Sequence, residues 1–291
     1  MTGGRNMSRC RCLSLSAVAG ALAGVAVAAH GGGITADVGL TPPVDRWIFR
    51  TQLRYMERGD DSTGMGREMQ MYAAPLVLAY GLRPNVTVIA RQIAFHRRMD
   101  MMSGTSDETG FGDFTLLSKW RLVRLNRRDY IIGIAPTFGL EFPTGDDDFG
   151  SDTWDGLVGT FLTGRRGPWG ADLNIEYKAN GLEDRNGHDR RPGDEFTANL
   201  ALSYQFVLDE KATMSLWPVL ELTYTDAQHD RLDRDDVADS GGEEFLLSPG
   251  LRYARQSFML EALVQFPVAQ DPNGGQLDRK LGGLVGLRYL F

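Results

Sequence analysis

The chain has 291 residues, 42% hydrophobic and 24% charged, with 35 Gly, 14 Phe, 9 Tyr and 5 Trp. That is long enough for one large domain or two small ones, and too polar for a bundle of transmembrane helices. A formal charge of -7 argues against a sequence-independent grip on nucleic acid, and an aromatic share of 10% argues against disorder.

Residues 1–29 read as a cleaved signal peptide. Arg5, Arg9 and Arg11 precede the apolar run 13–28, which ends in the small residues Ala26, Val27 and Ala28. Both cysteines, Cys10 and Cys12, fall inside it, so the exported chain is expected to carry no disulfide, thiolate metal site or Cys nucleophile. Cleavage removes three Arg and no acid, which takes the formal charge from -7 to -10. Residues 30–44 are expected to form a short periplasmic segment, and 45–291 a single domain.

From there on, period two recurs in segments of about ten to fourteen residues, the length a tilted strand needs to cross a membrane. The clearest runs from Trp169 to Asn180: Trp169, Ala171, Leu173, Ile175, Tyr177 and Ala179 alternate with Gly170, Asp172, Asn174, Glu176, Lys178 and Asn180. Twelve such segments start near Arg46, Glu68, Asn85, Gly110, Asp129, Trp154, Trp169, Asp194, Thr213, Glu243, Ser257 and Lys280. Pro75, Pro136, Pro218 and Pro249 fall inside them, where a missing N–H costs a ladder bond or marks a bulge.

The connections alternate strictly. Long polar ones span 58–67, 97–109, 143–153, 181–193, 226–242 and 269–279; short ones span 81–84, 123–128, 164–168, 208–212 and 254–256. The long set holds 20 acids against 10 bases, whereas the short set is basic. This is the plan of an outer-membrane barrel with outer loops and periplasmic turns. Aromatics repeat the division. Trp47, Tyr80, Trp120, Tyr130, Trp169, Phe206, Tyr253, Phe258, Tyr289 and Phe291 mark one strand end, while Tyr55, Phe95, Phe142, Tyr177, Phe196, Tyr224, Phe245 and Phe266 mark the other. A soluble β-sandwich would share the apolar face, but it gives no reason for two aromatic levels or alternating loop lengths.

The reading is therefore all-β, an antiparallel transmembrane β-barrel of about twelve strands in the bacterial outer membrane. Twelve strands tilted near 40° give a backbone diameter of about 24 Å, hence a narrow lumen. Its inward residues are expected to be polar and of mixed sign: Arg50 and Arg54; Asp113, Lys119 and Arg121; Glu141; Asp172, Glu176 and Lys178; Glu221; Arg252; Glu261; and Arg288. Opposed charges in a tight lumen would set up an electrostatic constriction along a solute path. Asp113, opposite the apolar face of its strand, is expected to meet a base inside, as a structural salt bridge before a substrate contact.

The chain ends on an alternating strand with Tyr289 and Phe291, which resembles the terminal signal (aromatic, any residue, Phe) read by the barrel-insertion machinery. Two inner segments, GFGDFTLLSKW (110–120) and IAPTFGLEFPTGD (134–146), resemble the outer-membrane transporters labelled "MetA-pathway of phenol degradation". The G-x-G-D strand start and the later P-T-G corner carry the likeness, which spans most of the mature chain. It implies a channel or transporter for small organic solutes, aromatic ones included, and assigns no site.

Competing functions have weaker motifs. No G-x-S-x-G or His-x-Ser pattern is present, and of His30, His96, His188 and His229 only His96 could face a rim serine, Ser103. The acidic runs 146–148 and Asp233, Asp235, Asp236 and Asp239 lack calcium-loop spacing. No catalytic or metal site and no cofactor is expected. The expected partners are outer-membrane lipid and lipopolysaccharide, the insertion machinery and a small organic solute, with no nucleic acid. A lipid-acting barrel enzyme and an adhesive surface barrel are the alternatives.

Overall fold

The computed structural model describes residues 32–291 apart from 186–187 and 234, so the expected signal peptide and both cysteines lie outside the described residues. A strand can satisfy its backbone only through neighbours, and in hydrocarbon no water completes an open edge, so alternating segments are stable there only as a closed ring. Twelve strands form that ring. They are β1 (Trp47–Gly59), β2 (Glu68–Arg83), β3 (Val86–Met101), β4 in three pieces (Gly104–Phe111, Phe114–Trp120 and Val123–Asn126), β5 (Tyr130–Phe142) and β6 (Asp155–Arg166). Then follow β7 (Trp169–Ala179), β8 (Glu195–Tyr204), β9 (Met214–Ala227), β10 (Gly242–Arg255), β11 (Phe258–Pro272) and β12 (Asp278–Leu290). Each pairs antiparallel with the next, and β12 returns to β1 from Ile48↔Leu290 to Gly59↔Asp278. Backbone bonds of 3.0 Å in both directions between Trp47 and Phe291 fasten the seam.

Eleven strands begin within two residues of the expected positions. The exception is β4, which starts at Gly104. Residues 97–109, expected as a loop, form the tip of a β3–β4 hairpin, paired from His96↔Thr109 to Met101↔Gly104 and held by the Arg97–Glu108 ion pair. Polar residues on both faces hid a strand that stands clear of the bilayer. At the last long connection β11 continues to Pro272, so little loop remains. The connections after β7 and β9 build a separate small sheet from Glu183–Arg185, His188–Arg191, Arg231–Leu232 and Asp235–Asp236.

Pro136 does mark a bulge. Lys119 pairs with Thr137 and Val123 with Ile134, so three β4 residues oppose Ala135 and Pro136, where the proline has no N–H to give. Pro75 and Pro218 instead sit in continuous register opposite Ile93 and Leu251. Outward residues such as Leu53, Phe138, Val158 and Val285 are more than half exposed, while inward Gln52, Thr115, Asp172 and Glu221 are buried. The aromatic levels pair as Trp47–Tyr80, Trp169–Tyr204 and Tyr289–Phe291 at the short-turn end, and as Tyr55–Tyr72, Phe114–Phe142 and Phe196–Tyr224 at the other. Phe95 departs from its expected girdle position: its register partner is Ala73, itself opposite inward Arg54, and its ring stacks on Phe149 from the 143–153 loop at 5.3 Å.

Candidate functional site

Register partners share a face, so the ladders trace what lines the inner wall. One row runs Arg50, Val77, Arg91, Thr115, Glu141, Asp155 across β1 to β6, and the same row passes from Arg50 to Arg288 on β12. Opposed charges meet along it. Lys178 on β7 bridges Glu141 and, at 3.0 Å, Asp155, while Arg91 reaches Glu141 at 3.9 Å. Around the ring, Glu261 receives Arg252 at 3.4 Å, Arg288 at 3.5 Å and the Gln52 amide at 2.9 Å. Asp172 is engaged by Arg165 at 2.7 Å. Arg54 donates to Gln52 Oε1 at 2.9 and 2.7 Å, and Glu176 stands on the same face as Thr197 and Gly159.

The segment that the sequence assigns to the periplasm enters through the short-turn end and crosses the lumen. Arg252 donates to the carbonyls of Gly32 and Gly33, and Gln52 to that of Ile34 at 3.1 Å. Glu221 accepts the N–H groups of Ile34 and Thr35 and the Thr35 hydroxyl, to which Asn199 donates at 2.7 Å. Asn174 bonds Asp37 through both backbone groups at 2.6 and 2.7 Å, and Arg50 pairs with the Asp37 carboxylate at 3.1 Å. Lys119 donates to Val38 O at 3.0 Å, Gly39 N–H to Thr163 at 2.8 Å, and the Thr41 hydroxyl to Pro84 O at 2.8 Å. These contacts touch seven of the twelve strands, on all sides of the ring. A segment tied to opposite walls at once bars the lumen.

Two further features fit the segment to the wall. Ile34 and Ala36 fill a socket of Ala201, Trp217, Val219, Leu263 and Leu284, with Ile34 fully buried. Gly39 lies backbone against backbone on β5 and β6: a Cβ there would come 2.4 Å from Phe161 O and 2.8 Å from Gly133 O. Only glycine allows that approach.

The wall also carries an apolar lane that the polar inward positions do not reveal. Val77, Ile89, Leu117 and Leu157 pack together on the inner face of β2, β3, β4 and β6, with Leu117 leaning over Gly139. The signal was available as apolar residues in the inward phase of alternating strands, beside outward ones such as Leu116 and Val158.

Two expected lumen residues have other partners than those expected. Among the described residues Asp113 meets no base. Its carboxylate accepts the N–H groups of Thr144 (2.9 Å), Gly145 (2.7 Å) and Ser151 (2.7 Å) and the Ser151 hydroxyl (2.9 Å), so it pins the 143–153 loop to the β4 rim. Backbone donors brought in by the P-T-G corner take the place of the expected cation. Arg121 sits at the bulge and donates to Pro84 O at 2.6 Å, at the turn end of the barrel. Asp113, Glu141 and Asp155 bring carboxylate oxygens within 4.8 Å of one another, with Lys178 on two of them. His96 bonds Thr109 at 3.0 Å, while Ser103 lies at the hairpin tip beyond the Met101↔Gly104 pair, more than about 16 Å away at strand rise, so these two form no nucleophile and base pair.

The model of the family described as "Putative MetA-pathway of phenol degradation" matches residues 35–275. No curated protein sequence matches the chain. Among solved structures, the COG4313 outer membrane channel from Pseudomonas putida F1 is similar over 90% of this chain and 99% of its own, with 17% identity and a TM-score of 0.69. The beta domain of the Bordetella autotransporter BrkA is 11% identical over 85% of this chain and 100% of its own, with a TM-score of 0.48. The NanC porin is 9% identical over 83% and 98%, with a TM-score of 0.46.

Proposed function

We propose that this chain, which belongs to the MetA-pathway of phenol degradation family, is a passive outer-membrane channel for small organic solutes, held closed here by residues 32–44. The observation that carries the reading is the nature of the barrier. A structural barrel would fill its inside with dry side chains, whereas this one holds a single irregular segment largely through hydrogen bonds to polar wall groups. Such bonds exchange readily for bonds to water, so the main cost of the segment's leaving is exposure of the small apolar socket that holds Ile34 and Ala36. The proposed path beyond it runs past Arg54, Arg91, Glu141, Glu176 and Lys178, alongside the lane of Val77, Ile89, Leu117 and Leu157. An apolar lane facing charged groups suits a solute with a ring or chain and a polar end, in keeping with the family's description.

The same reading makes the chain a transporter, and the His96 ring is a rim group bonded to the Thr109 hydroxyl at 3.0 Å. Two refolded proteins decide it: the mature chain, and one lacking residues 32–41. In planar bilayers the shortened protein is expected to conduct more, and in vesicles to admit small aromatic acids faster. Absence of conductance and solute flux in both would overturn the proposal.

A further inference from the structure

On the outward face at the short-turn end, the ladders set three rows one above another across β5, β6, β7 and β8. The lowest is Tyr130, Arg166, Trp169, Tyr204; the middle is Ile132, Gly164, Ala171, Leu202; the upper is Ile134, Leu162, Leu173, Leu200. Two small residues in the centre of the middle row leave a furrow of about 680 Å³, which continues upward into a second hollow of about 230 Å³ over Leu162 and Leu173. A Cβ added at Gly164 would meet nothing within 4 Å. The lower edge is cationic: Arg166 is exposed and makes no ion pair among the described residues, and the neighbouring turn adds exposed Arg127 and Arg128 against the single acid Asp129.

We infer that this furrow is a binding site for one anionic glycerophospholipid of the periplasmic leaflet, its acyl chain over Gly164 and Ala171 and its phosphate at Arg166. The inference rests on the proposed outer-membrane channel and on the orientation expected from its loop lengths, which puts the short turns at the periplasm. Charge complementarity selects the occupant. A bare apolar face takes any acyl chain, and the comparable hollow of about 620 Å³ near Leu53, Tyr55 and Tyr72, with no charged residue on its rim, has no means of choosing. Here a cation stands at headgroup level between Tyr130 and Trp169, where an anionic lipid gains over a zwitterionic one. Lipopolysaccharide is excluded because it occupies the other leaflet.

Trp169 reports directly on occupancy. The protein is refolded into phosphatidylcholine vesicles containing a small fraction of dibrominated phosphatidylglycerol or, separately, the same fraction of dibrominated phosphatidylcholine. The Trp169 contribution is obtained by difference against Trp169→Phe. The anionic lipid is expected to be enriched at Trp169 about fivefold over the zwitterionic one. Gly164→Leu, which fills the furrow, and Arg166→Gln, which removes its cation, should each bring the two lipids to equal quenching at Trp169. Equal quenching by the two lipids overturns the inference and leaves the membrane barrel standing; no quenching by either overturns both. Because the Arg166 side chain is exposed and makes no hydrogen bond or ion pair among the described residues, Arg166→Gln keeps the test decisive if Gly164→Leu fails to refold.

Discussion

Glu221 shows how one lumen carboxylate acts as a latch. It accepts two backbone N–H groups and a hydroxyl from residues 34–35, and hydrogen bonds to a charged acceptor are worth about 1.5–3 kcal/mol each. Glu221→Gln keeps the shape and loses the charge, so single-channel recordings should show about tenfold more frequent openings. Arg252 is a harsher case. It is fully buried, and removing it leaves Glu261 with Arg288 and the Gln52 amide and frees the Gly32 and Gly33 carbonyls. Arg252→Ala is therefore expected to cost about 3–5 kcal/mol in urea unfolding as well as opening the channel. Asp113 separates structural from permeation roles. Asp113→Asn should loosen the 143–153 loop by about 1–3 kcal/mol, seen as faster proteolysis there, with ion selectivity unchanged. A selectivity shift would put it on the solute path after all.

Among elements, the wall is governed by which side of a strand a residue takes. Phe138 faces out near the middle of β5, more than half exposed, so Phe138→Arg should cost about 2–4 kcal/mol in vesicle unfolding, a penalty that fades toward either interface. The bulge of β4 opposite Pro136 belongs to the same scale: the extra residue realigns the strand and carries Arg121 to the turn. Outer loops follow ordinary surface electrostatics. In the β1–β2 loop the Arg67 guanidinium, together with the Thr63 hydroxyl, holds the Asp61 carboxyl far below the usual carboxylate range. A depressed pKa contributes order above the unfolded value and loses it as pH falls through the folded one. An NMR titration should therefore find this loop unchanged from neutral pH to about 4. A midpoint near the ordinary Asp value would refute the pairing.

For the whole molecule, closure and obstruction are the two decisive properties. A ring with no open edge resists detergent until heated, so the folded chain should run faster on gels than the boiled one. The seam joins the first and last strands, which makes assembly depend on the C-terminus: Phe291 bonds Trp47 in both directions and stacks near Tyr289. Deleting Phe291 should reduce insertion in cells more than refolding in vitro, the separation expected if the insertion machinery reads this residue. Equal losses would reduce it to a seam contact.

Eleven of the twelve strand starts and most of the two aromatic levels follow from sequence, because they depend on local chemistry: side chains two apart share a face, and each face meets one solvent. Trp169 to Ala179 needed no more than its alternation. The polar inward residues were legible for the same reason, including Glu141, Asp172, Lys178, Glu221, Arg252, Glu261 and Arg288. What they bind was not, because partners on a closed ring are set by shear and by distance across the lumen. Only the tertiary structure brings Glu221 to Thr35, 186 residues away in sequence, and sets loop N–H groups where Asp113 was expected to find a base. Residues 32–44 are the sharpest instance. Their sequence lacks any strand pattern and reads as a free segment. Their place inside the barrel comes from a polar wall that can hydrogen-bond an irregular chain and from a socket shaped for Ile34.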